Sequence, residues 1–181
     1  ARIAGQLPAH PASNTYFSMA PIRYGNYVAK YRAKPAGDRH DSYLELVKRL
    51  GSQADALRLA LEETLRRQEV LFEFQVQLRT SERTMPIEDA TIEWPESESP
   101  YRTVAHLLLP RQEIASLRQQ DAFQHLSFNV WHALATHRPL GGINRVRRRA
   151  YPLSSAWRRQ QAGLKTEVPP STGEEQGARS H

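Results

Sequence analysis

Between Val70 and Thr80 apolar and polar side chains alternate without interruption, with Phe72, Phe74, Val76 and Leu78 set against Glu73, Gln75, Gln77 and Arg79. Successive side chains of a strand point to opposite faces. This run is therefore a β-strand with one apolar face to bury and one face that is polar or lines a lumen. Such a strand needs partners along its edges. Residues 26–34 place Tyr27, Ala29 and Tyr31 on one side and Val28, Lys30 and Arg32 on the other. That mixed alternation suits a barrel strand covered in part on both faces. Residues 101–109 form a third strand, ended by Pro110. The expectation is a curved antiparallel sheet built from about 23–34, 70–80 and 101–109.

Helices are expected between and after the strands. In HDSYLELVKRL (40–50), Leu44, Val47 and Leu50 recur at helical spacing, and Gly51 stops the run. Ser52 stands where it can cap the next helix, with Asp55 three residues on. Leu57, Leu61 and Leu65 then form an i, i+4 stripe, the signature of a core-facing helix rather than of a ligand contact. Residues 1–14 read as an extended lead-in and 111–120 as a short helix-forming stretch. From Lys165 onward Pro, Ser, Gly, Glu and Gln dominate, so 164–181 read as a disordered tail that can be deleted without loss of stability. The organisation is thus one domain over 1–163 and a tail over 164–181.

The chain has 181 residues, 39% hydrophobic and 24% charged, enough for one domain with a real core. It has no cysteine, which excludes disulfides, thiolate metal sites and cysteine nucleophiles. No run is long enough to span a membrane and no signal-peptide pattern opens the sequence, which favours a cytoplasmic protein. The chain begins on Ala1 rather than methionine and reads as a piece of a longer protein. Its net charge of +6 is uneven. Arginines 145, 147, 148, 149, 158 and 159 cluster, while 82–98 is acidic. A local arginine cluster suits an anionic ligand at least as well as nucleic acid.

Within RVRRRAYPLSSAWRR (145–159), Arg147 and Tyr151 stand four apart and share a helix face, and Arg158 returns to that face seven residues later. Pro152 biases Tyr151 away from helical geometry, so a helix through 145–150 is expected to end or kink there. A phenol among guanidinium groups is a candidate hard, anionic oxygen donor, the kind of axial ligand that catalases give to haem iron.

The motif Arg147-x-x-x-Tyr151-Pro152, with Arg158 beyond it, resembles the proximal-ligand motif of haem catalases. The resemblance extends outward. YVAKYRAKP (27–35), preceded by PIRYG (21–25), is similar to a strand of the small bacterial catalase-related haem proteins. QVQLRT, MPIEDATIEWP, ESESP and the strand from Tyr101 keep the order of events along the catalase barrel. Phe128-Asn129 resembles the turn whose phenylalanine borders the haem, although Val130 stands where that family has proline. The resemblance covers about 15–159, the C-terminal half of the catalase barrel domain. It implies an α+β fold, part of an antiparallel catalase-like β-barrel with flanking and C-terminal helices.

It further implies a haem cofactor held by Tyr151, Arg147, Arg158 and Phe128, with Tyr151 as the axial iron ligand, Arg147 on the phenolate and Arg158 on a propionate. The parent protein would decompose or use hydrogen peroxide or an organic hydroperoxide. The acid–base histidine of such a site is expected upstream of Ala1, so no catalytic residue is expected in this chain, and activity of this chain alone is left open. Of the seven histidines, His10 and His181 fall in expected coil, His40 at a helix entry and His106 on a strand. His132 is the alternative iron ligand. A non-enzymatic haem- or anion-binding module is the alternative function, and a nucleic-acid-binding domain using 145–159 is a weaker one. Expected partners are haem and a peroxide, with no membrane, and a homo-oligomer is left open.

Overall fold

The computed structural model describes residues 9–37, 40–51, 55–114, 116, 126–161 and 163. Its centre is an antiparallel sheet of five strands: β1 (Tyr16–Phe17), β2 (Ile22–Tyr24), β3 (Tyr27–Pro35), β4 (Val70–Leu78) and β5 (Arg102–Leu109). The order is β1-β3-β4-β5, and β2 shares the outer edge of β3 with β1. The three strands expected from the alternation are present and pair as expected. Tyr31 opposes Val76, Ala33 opposes Phe74, and Phe72 opposes Leu107. A bulge at Phe74/Gln75 shifts the β4–β5 register, which bends the strand and adds local twist.

The helices α1 (His40–Leu50) and α2 (Ala56–Arg67) fill the crossover from β3 to β4. They cover one end of the apolar face, where Ala12, Tyr43, Leu65, Val70 and Phe72 form the core cluster and Leu61 packs against it. Val47 is buried too. The α2 cap differs from the expectation: Asp55 occupies the N-cap position but makes no capping bond. It pairs instead with Arg58 at 3.1 Å, while Ser52 lies outside the described residues. Of the helix expected over 111–120, residues 111–114 and 116 are described and are not helical, and the other half lies outside the described residues, as does all of the tail expected over 164–181.

His10 corrects the expectation of coil. It is 2% exposed, stacks on Tyr43 with ring centroids 4.4 Å apart, and contacts Thr64 Oγ1 through Nε2 at 3.1 Å. Its Nδ1 accepts the Ala12 N–H at 3.0 Å. The lead-in strand is thereby pinned across both helices. Burial pushes the imidazole pKa below its ordinary value, against the opposing effect of the Ala60 carbonyl.

The polar face of the sheet is sealed, not solvated. The loop from Arg79 to Tyr101 folds back over it and places Trp94, 2% exposed, and Met85 against the strands. Gln77, 1% exposed, donates through Nε2 to the carbonyls of Trp94 (3.1 Å) and Ser99 (2.9 Å). Lys30 donates to the Ile92 carbonyl at 3.1 Å with its ammonium 4.9 Å from the Trp94 ring centre. Trp94 Nε1 in turn donates to the Pro86 carbonyl. Buried polar groups remain where hydrogen bonds replace water, and here the loop backbone supplies the acceptors.

The last helix, α3 (Gly141–Gln161), continues through Tyr151 and Pro152 to Gln161, so of the expected end or kink at the tyrosine the end does not occur. Pro152 has no N–H for the carbonyl of Arg148. Arg148 is exposed, so water can take the place of that bond.

Candidate functional site: an apolar cavity under the sheet and the arginine–tyrosine face of the last helix

The free end of the apolar sheet face opens into a cavity of about 720 Å³. Tyr31, Phe74 and Val76 form its roof, while Phe17, Met19 and Tyr24 line its side. These positions follow from the period of two along β3 and β4. The same alternation that buries Phe72 under the helices points Phe74 and Val76 into open space.

The helix α3 closes the rim, and its position is set by both ends of the chain. Leu140 N–H donates to the Pro21 carbonyl at 3.0 Å, and Arg23 N–H donates to that of Arg138 at 2.8 Å. Asn144, 3% exposed, is the clamp. Its Nδ2 donates to the carbonyls of Leu140 (2.8 Å) and Pro21 (3.3 Å), and its Oδ1 accepts from Arg147 at 3.2 Å. Trp131 Nε1 donates to the Asn144 carbonyl at 2.7 Å.

The helix start is held by the 85–90 segment. Gly141 has φ +82°, and a Cβ there would lie 2.7 Å from the Ile87 carbonyl oxygen, so glycine is required for this close approach. Glu88 accepts the Gly142 N–H at 2.8 Å and two bonds from Arg145. A carboxylate at a helix N-terminus also complements the helix dipole. Arg145 holds the Glu88 carboxyl below its usual range.

Arg147 lines the cavity, as part of the rim just described. Tyr151 lies in an adjoining recess of about 480 Å³ with Phe128, His132 and Asn129, and Val130 lines both spaces. Three of the residues singled out from the sequence, together with the alternative ligand His132, thus come to one region. Arg147 does not bond to the phenol. Its guanidinium carbon lies 6.0 Å from the Tyr151 ring centre, and its hydrogen bonds run to Asn144 and, at 3.9 Å, to the Met19 sulfur. Arg158 is exposed and lines neither space.

Sequence reasoning missed Asn144 and Met19. Asn144 carried a usable signal, since it lies three residues before Arg147 on the same helix face. His137 carries no signal in the sequence, yet it lines the cavity and stacks on Tyr24 at 5.7 Å. Among the described residues no group of three or more His, Asp or Glu side chains could hold a metal ion on its own.

The antiparallel five-stranded sheet with its crossover helices and C-terminal helix defines a catalase-like α+β fold. Among solved structures, the chain is similar to a fungal catalase determined at 1.9 Å, with a TM-score of 0.60 and 18% sequence identity over 83% of this chain. The match spans 32% of the length of that catalase. No protein-family model matches the sequence, and no curated protein matches it.

Proposed function

We propose that this chain is the proximal half of a haem site in a catalase-like oxidoreductase, with haem seated against the apolar sheet face and Tyr151 as the iron ligand. The carrying observation is the juxtaposition on α3: an apolar, aromatic-walled cavity with Arg147 at its rim and a tyrosine one turn further along. The donor set fits such a group. The cavity volume lies within the range of small-molecule sites, and its wall is mostly apolar with few polar groups. Tyr151 supplies an oxygen donor, and Arg147 supplies positive charge for an anionic substituent.

When bound, haem would supply the redox chemistry with a peroxide. The chain's own residues do the rest. Phe74, Val76 and Tyr31 would give the ligand an apolar wall and exclude water there. Asn144 holds the Arg147 guanidinium at the rim, where its charge would face an anionic group of the ligand. The Trp131–Asn144 bond ties the helix to the 129–132 turn.

A non-enzymatic haem-binding module is the second reading. It is favoured by the cavity lining itself, which is mostly apolar and aromatic and includes a single histidine among the described residues, His137, whose ring packs on Tyr24. Haemin titration followed by absorption separates the readings in stages. Wild type should develop a Soret band with a tyrosinate-type spectrum, and Tyr151→Phe should shift it while the protein stays folded. Arg147→Ala should weaken ligation, with partial rescue by Arg147→Lys. Identical spectra for wild type and Tyr151→Phe would overturn the ligand assignment and point to His132. Peroxide consumption by the haem-loaded protein then tells enzyme from binder.

A further inference from the structure

The face of α3 turned away from the cavity has no role in the haem reading, and its composition is distinctive. Val146, Leu153 and Trp157 are 68%, 70% and 62% exposed, and Ala150 between them is exposed as well. At 100° per residue these four fall within a narrow arc opposite buried Asn144 and Ser155. They form one continuous apolar ridge about three turns long, running along the outside of the helix.

Arginines flank the ridge. Between Gly141 and Gln161 stand Arg145, Arg147, Arg148, Arg149, Arg158 and Arg159 with no acidic residue, a local excess equal to the +6 of the whole chain. Arg145 is taken up by Glu88 and Arg148 lies over the Trp131 ring. Arg149 on one flank and Arg158 on the other are exposed and have no carboxylate partner among the described residues. Glu88 neutralises Arg145 near the start of the helix, so the exposed arginines 149 and 158 and the bulkiest apolar groups, Leu153 and Trp157, all lie beyond that pair.

We propose that this outer face of α3 is a docking surface for an anionic phospholipid membrane. The ridge is convex, so a deformable surface can take it up, whereas a protein partner would have to bring a matching groove. Trp157 and Leu153 would enter the boundary between headgroups and acyl chains while the guanidinium groups stay at phosphate level. A second copy of the chain is a poor occupant, because pairing the same faces would bring two six-arginine helices together. The helix lies on the surface and does not cross it: no described helix is long and apolar enough to span a bilayer.

The test uses the full chain with vesicles of phosphatidylcholine alone and of phosphatidylcholine mixed with phosphatidylglycerol, read by co-sedimentation and by quenching of Trp157 with brominated lipid. Binding is expected only to the mixed vesicles and is expected to weaken with salt. Arg149→Gln, a residue with no part in the cavity, should weaken it about fivefold. The pair Leu153→Ser and Trp157→Ser should weaken it by more than about tenfold. Unchanged circular dichroism and melting would show that these surface variants fold. No binding to mixed vesicles at low ionic strength overturns the proposal. So does binding that the Leu153/Trp157 pair leaves intact, which would be charge attraction alone. Saturable binding of an acidic protein by this face, with vesicles ignored, would also overturn it.

Discussion

The two faces of the central sheet are used in the opposite sense from their chemistry. The polar face, with Lys30, Gln75 and Gln77, is buried; Lys30 and Gln77 donate to the backbone of the 79–101 loop, and Gln75 bonds to the side chains of Arg32, Glu73 and Thr103. The apolar face is covered by helices at one end only. At the other it lines an open cavity, and β5 is exposed along its whole length. Buried polar groups tied to loop carbonyls specify one arrangement and tolerate little change. Apolar groups facing open space have no such constraint and await a partner. One face is scaffold, and the other is where a ligand has room.

The sharpest way to break this contrast is to remove the anchor of the sealed face. Trp94→Ala should destabilise the protein by about 3–5 kcal/mol, as for other buried tryptophans, measured by urea unfolding. A loss below about 1 kcal/mol would mean that the loop is a loose cover. Gln77→Leu keeps the volume but leaves the Trp94 and Ser99 carbonyls unbonded, and should cost about 1–3 kcal/mol.

Acid should act next, at the helix-covered end. The His10 pKa is lowered in the folded state by burial, so the unfolded chain binds the proton more readily. Its contribution to stability is therefore complete above the unfolded value near 6.5 and is lost as pH falls towards the folded value. Protonation would set an Nδ1 proton against the Ala12 N–H. His10→Ala should flatten this part of the stability–pH curve, and an unchanged curve would refute the account. The smallest effect is expected on the open face: Leu107→Ser, at a position 46% exposed, should change stability by no more than about 0.5 kcal/mol.

The sheet was legible in the sequence because its signal is local. The period of two in β4 and β3 identifies the strands, and Phe72 to Val76 take the expected face. What that pattern does not reveal is the cover on each face. Gln77 and Gln75 look solvent-facing on their strand, and only the return of Trp94 across the sheet buries them. His10 was hidden for the same reason, since its partner Thr64 is 54 residues away.

In the candidate site the Arg147–Tyr151 spacing and the region of Phe128 and His132 were visible, because a helix turns sequence spacing into proximity. The partner that Arg147 takes in the fold was not. Choosing Asn144 and Met19 over the phenol depends on where Pro21 and Met19 lie, which no spacing on α3 encodes. Pro152 misled for a related reason. Its local preference was real, but the rest of the helix continues past it.

The clamp at Asn144 also bears on the time course of folding. It joins residues 123 apart in sequence, and the Arg147–Met19 contact spans 128. Closing so long a loop costs entropy before any contact repays it, and such non-local pairings form slowly. The helix pair α1–α2 and the β3–β4 ladder can assemble from nearer neighbours. The cavity rim has to wait for nearly the whole of the described chain, so on a ribosome the 19–25 segment emerges long before its partner at 138–147 exists. A ligand for this cavity would meet a formed sheet first and a closed site only at the end.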